Sequence, residues 1–111
     1  MKENKIEFEE SSGNVFEDLG FPNPEMEQLK SALSFEIFTI LKKRKLTQAQ
    51  AAKVLDIDQP QVSRLKNADF TRFSVERLFG FLNRLGRDVD IHINRAKDKI
   101  PRQRVVHADG Y

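Results

Sequence analysis

Leu46–Leu65 reads "LTQAQAAKVLDIDQPQVSRL". Thr47 is a good N-cap, and Ala51, Ala52 and Leu55 share one side of the short helix it opens. Asp56-Ile57-Asp58 breaks that helix. Asp58 caps a second one, which tolerates Pro60 because a first-turn N–H has no helical partner to lose. In this second helix Val62 and Leu65 lie one turn apart and face the core. At about 100° per residue, Pro60, Arg64 and Asn67 point nearly the opposite way, with Gln59, Gln61 and Ser63 along the flanks. Helix, tight turn and helix, with small alanines on the first and polar side chains on the second, is a helix-turn-helix pattern. A slim helix with such an outer face fits the major groove of DNA, where Arg can bind guanine O6 and N7 and Gln can bind adenine N6 and N7. Thr47 and Gln48 stand at a helix N-terminus, where a phosphate is favoured.

The flanking sequence supplies the rest of a small bundle. Upstream, Asn23 suits an N-cap, Pro24 the first helical position, and Glu25 and Glu27 the positive end of the dipole. Leu29, Leu33, Ile37, Ile40 and Leu41 follow at helical period, and Lys42–Lys45 complement the negative end. Downstream, Ser74 caps a helix with the stripe Val75, Leu78, Phe79, Leu82 and Leu85, closed by Gly86. Arg77 stands where a capping box would place Glu or Gln, so no full box is expected there. The period then changes: Asp88–Asn94 alternates strictly, putting Val89, Ile91 and Ile93 on one face of a strand. The expected fold is mainly α, a bundle of four to five helices with a C-terminal β-strand.

The chain has 111 residues, enough for one small core, with 39% apolar and 32% charged residues. It has no Cys, hence no disulfide, thiol nucleophile or Cys-based zinc site. The first residues, MKENKIEFEE, lack the apolar region of a signal peptide, and no apolar run approaches the roughly 20 residues needed to cross a bilayer. A cytoplasmic location and no membrane association are expected. The net charge of +2 conceals a segregation. Residues 1–40 carry three lysines against nine carboxylates, whereas residues 41–111 carry 16 Lys and Arg against eight carboxylates. Two partners of opposite charge would suit such a chain.

Leu46–Leu85 resembles the Xre/Cro-like repressor family, and Asn14–Ile93 as a whole resembles the HigA-type antitoxins. The resemblance is carried by NVFEDLG (Asn14–Gly20), by the Leu46–Leu65 stretch, by FSVERLFGFLNRLG (Phe73–Gly86) and by DVDIHI (Asp88–Ile93). It implies a homodimeric autorepressor of a palindromic operator that also neutralises a RelE-like (HigB) ribonuclease toxin. It matches Gln59, Pro60, Gln61, Ser63 and Arg64 to base-reading positions, and Gln48 and Asn67 to phosphate contacts, beside Thr47. Two departures stand out: Asp56 where the turn often has Gly, and Ala68 where the helix exit often has Gly. Asp adopts the left-handed conformation at some cost, and Ala less easily, so a different helix exit is expected after Asn67.

Three regions follow: an acidic arm over 1–22, a DNA-binding and dimerisation domain over 23–94, and a basic, flexible tail over 95–111. A lone strand cannot satisfy its own backbone. Val89, Ile91 and Ile93 are therefore expected to pair with a second subunit, with Phe81 packing across the interface; pairing with Lys5–Glu9 of the same chain, and core packing for Phe81, are the alternatives. In the arm, Ile6, Phe8, Val15, Phe16 and Leu19 would anchor the toxin, with Glu17 and Asp18 among the carboxylates that meet its basic surface. Packing on the first helix explains Val15, Phe16 and Leu19 equally well. His92 and His107 lie far apart, and no Ser-His-Asp order, phosphate loop or paired-His zinc signature appears, so neither an enzyme nor a metal or other cofactor is expected. A stand-alone Xre-type regulator with no toxin is the principal alternative.

Overall fold

The computed structural model of the protein describes Gly20, residues 23–97 and residues 100–106. The arm residues Ile6, Phe8, Val15, Phe16, Glu17, Asp18 and Leu19, and the Lys5–Glu9 run, lie outside the described residues. Among the described residues four helices follow in order: α1 (Pro24–Lys43), α2 (Gln48–Leu55), α3 (Gln59–Lys66) and α4 (Val75–Arg84). None is long and apolar enough to cross a membrane.

Each helix starts as its first residues dictate, with one exception. Thr47 Oγ1 accepts from Gln50 N at 3.1 Å while Gln50 Oε1 accepts from Thr47 N at 2.8 Å, a complete capping box on α2. Asp58 Oδ1 accepts from Gln61 N at 3.0 Å, and Ser74 Oγ from Arg77 N at 3.1 Å. Asn23 is the exception: it precedes α1 but makes no side-chain capping bond, and Pro24 sets the helix entry instead.

The four helix ends share one geometry. Lys45, Asp56, Ala68 and Gly86 have φ of 55°, 60°, 61° and 81°. In each case that residue's N–H bonds to the carbonyl three residues back and the next N–H to the carbonyl five residues back, at 2.8–3.4 Å. These are Schellman endings, and they satisfy carbonyls that the helix itself leaves open. The different exit expected after Asn67 is not what forms: Ala68 takes the left-handed conformation, and Asp69 N reaches Arg64 O at 2.8 Å.

Leu33, Ile37, Ile40 and Leu41 of α1 meet Leu78, Phe81 and Leu82 of α4, with Ala51, Leu55, Val62 and Leu65 of the α2–α3 pair completing the core. Ala51 is fully buried, and its single methyl lets α3 lie close against α2. Phe73 and Phe81 pack edge to face, with centroids 5.6 Å apart and planes at 77°. Phe81 is only 4% exposed within its own chain, so of the two roles open to it core packing is the one found.

No strand forms among the described residues. Residues 87–96 have neither helix nor ladder, and Ile91 and Ile93 are 71% and 93% exposed. A strand exists only when a second backbone takes its hydrogen bonds, and within the described chain none lies alongside. Val89 and, further on, Val105 lean against the core, so this segment borders an open groove with α1 and α4.

Candidate nucleic-acid interface

The turn between α2 and α3 is held at both ends by aspartates. Asp56 carries the left-handed residue that ends α2, with φ 60° and ψ 47°, and Arg84 Nη2 lies 3.5 Å from its Oδ2. Asp58 caps α3. Across the turn, Gln48 Nε2 donates to Gln59 O at 3.0 Å, tying the first residue of one helix to the first residue of the next. The two helices therefore present their N-termini as one fixed unit.

On α3, Val62 is 0% and Leu65 3% exposed, which locks the rotation of the helix about its axis. Gln59, Pro60, Lys66 and Asn67 are exposed, and Ser63 and Arg64 half-buried at the rim of the outer face. Asn67 Nδ2 donates to Ser63 Oγ at 3.3 Å. Among the described residues the Arg64 guanidinium has no hydrogen-bond or ion-pair partner, so its donors are available. Thr47 accepts through Oγ1 from Gln50 N but keeps its hydroxyl hydrogen to give, and one Nε2 hydrogen of Gln48 is likewise uncommitted.

Gln61 differs from its neighbours. It sits half-buried on the flank toward α4, and its Oε1 accepts from Arg77 Nη2 at 3.2 Å. The Arg77 guanidinium is itself placed by two rings, 5.2 Å from the Phe73 centroid and 5.4 Å from that of Phe81. Sequence reading saw in Arg77 only a missing capping-box partner. The signal was Phe81 four residues after Arg77 on one face of α4, with Phe73 just ahead of the Ser74 cap. Arg44 also escaped: within the Lys42–Lys45 run it reaches across to donate from Nη2 to Leu85 O at 2.6 Å, closing the end of α4.

Of the residues expected to form the interface, Thr47, Gln48, Gln59 and Pro60 are thus gathered at the N-termini of α2 and α3, Ser63 and Arg64 follow along α3, Asn67 is its C-cap, and Gln61 lies on the flank toward α4. Val89, Ile91 and Ile93 belong to the separate segment that follows α4 and has neither helix nor ladder.

Residues 15–94 match the family described as a helix-turn-helix domain. A solved structure described as an XRE family transcriptional regulator is similar to this chain, with a TM-score of 0.75 and 39% sequence identity, over 78% of this chain and 100% of that one. No curated protein matches.

Proposed function

The chain belongs to the XRE family of helix-turn-helix transcriptional regulators, and from that premise we propose that it is a sequence-specific repressor that reads operator DNA with α3. One observation carries the reading: the buried pair Val62 and Leu65 turns Arg64, Ser63 and Gln59 outward from a capped, rotationally fixed helix. Arg64 supplies the two parallel donors that guanine O6 and N7 accept, and Gln59 a donor and an acceptor for adenine. Pro60 has no side-chain donor and contributes apolar contact. The hydroxyl of Thr47, the amides of Gln48 and Asn67 and the N-terminus of α2 bind phosphates and set the register. The repressor acts as a homodimer joined through Val89, Ile91 and Ile93, on a palindrome whose half-sites lie about one helical turn apart.

The finer part of this proposal is that the protein is an antitoxin of HigA type, autoregulating its operon and neutralising a RelE-like ribonuclease with its acidic arm. The sequence resemblance and the charge segregation support it. A stand-alone regulator fits the same interface equally well, and only the arm's partner separates the two.

Titration of a selected operator duplex over a range of salt concentrations tests the DNA reading. Affinity should fall steeply with salt, as phosphate contacts release counterions. Arg64→Ala should cost roughly 1–3 kcal/mol and relax preference at one base pair. Unchanged affinity in that variant would remove Arg64 from the reading face, and no salt-sensitive duplex affinity at all would overturn the function.

A further inference from the structure

We propose that Arg77 is a specificity-determining positioning residue that fixes which way the Gln61 amide faces and so which base Gln61 can accept. The inference rests on the DNA reading above and adds a partner to it from another helix. A free glutamine amide offers a carbonyl and an NH2 and can rotate to present either, which is what lets Gln grip the adenine N6 and N7 edge with one acceptor and one donor. Gln61 is not free. Guanidinium groups have five donors and no acceptor, so the atom facing Arg77 Nη2 at 3.2 Å must be the carbonyl oxygen. Nε2 is thereby placed on the far side of the amide.

Arg77 can impose this because it is itself held. Its backbone N–H is bonded to Ser74 Oγ at 3.1 Å, and its guanidinium lies against the Phe73 and Phe81 rings, which are edge-to-face packed and buried. Gln61 is held from the other end, its N–H bonded to Asp58 Oδ1 at 3.0 Å. With the main chain engaged and one lone pair of the carbonyl taken by a cation, the two Nε2 hydrogens are the groups Gln61 presents most favourably to a base edge. Two donors suit guanine O6 and N7, or thymine O4. Adenine would need its amino group to use the second lone pair of an oxygen that already accepts from a cation, and the guanidinium charge opposes the approach of those polar N–H bonds.

Binding selection from randomised duplexes tests this in the full-length protein, using the wild type, Gln61→Ala, Arg77→Met and the double variant. Methionine keeps an apolar contact with the two rings and removes every donor. The base pair read by Gln61 is the one whose preference disappears in Gln61→Ala. There the wild type should favour guanine or thymine, and Arg77→Met should raise adenine relative to guanine roughly tenfold, the scale of one base-edge pair. Other positions should keep their preferences, and the double variant should match Gln61→Ala. A wild-type preference for adenine at that pair overturns the proposal. So does a loss in Arg77→Met that is uniform over all sequences, the mark of a simple phosphate contact. Nitrogen NMR of the free protein supplies a readout that needs no change at Arg77: its guanidinium Nη signals should be separate in the wild type and averaged in Gln61→Ala, and averaging in both overturns the contact. Absence of any salt-sensitive duplex binding in the wild type brings down the DNA reading itself, whereas selective binding without Gln61–Arg77 coupling removes only this inference.

Discussion

At Ala68 the φ is 61°, a conformation in which the methyl group crowds the following carbonyl at a cost of about 1–2 kcal/mol. The cost is accepted because Ala68 N and Asp69 N close the end of α3 on Leu65 O and Arg64 O. Glycine has no Cβ to crowd, and in that conformation loses little beyond its extra freedom in the unfolded chain. Ala68→Gly should therefore raise stability by roughly 0.5–1 kcal/mol, seen as a Tm increase of a few degrees in a thermal melt. A lower Tm would mean that the exposed methyl gains more than the turn loses. At this scale the sequence was readable where a residue acts on its own neighbours: Thr47, Asp58 and Ser74 cap as their types and positions imply. It was not readable where two residues distant in the chain meet. Arg44 and Leu85 are 41 positions apart and Arg77 and Gln61 are 16 apart, and no local period relates them.

Among elements, the same division separates helices from strand. A helix makes its backbone bonds within itself, so stripes such as Leu33, Ile37, Ile40 and Leu41 place α1 from sequence alone. The alternation of Val89, Ile91 and Ile93 marks a segment prepared for an edge, but the edge has to come from elsewhere. Residues 88–94 consequently run without a ladder, with two isoleucines in solvent. Backbone without a ladder that carries exposed β-branched side chains in strict alternation can pair with another edge, and a two-fold copy of itself is a natural complement. In size-exclusion chromatography with light scattering, the full chain should run as a dimer. A chain stopped after Arg87 should run as a monomer with its helical circular dichroism retained, since every buried apolar side chain among the described residues lies between Leu33 and Leu85. A dimer that survives the truncation would move the interface off this segment.

The whole molecule divides by charge along its sequence. The basic surplus lies in residues 41–111, which include α2, α3 and α4, while the acidic surplus lies in residues 1–40. One chain can then attract a polyanion and a polycation without the two competing for the same face. Among the described residues the buried core runs from Leu33 to Leu85, and the buried side chains beneath α3 lie on α1, α2 and α4. Deleting residues 1–20 should leave operator affinity and its salt dependence within about threefold of wild type, a difference under about 0.7 kcal/mol. If the arm is the proposed toxin-binding surface, the same deletion should abolish capture of a co-encoded basic ribonuclease in a pull-down and its neutralisation in a growth assay, because the carboxylates Glu17 and Asp18 and the apolar Phe8 and Phe16 are gone. Retained neutralisation would place the toxin surface on the helices instead. Failure of the intact protein to bind any basic partner would leave a regulator that acts through DNA alone, with α3 doing the same work in either case.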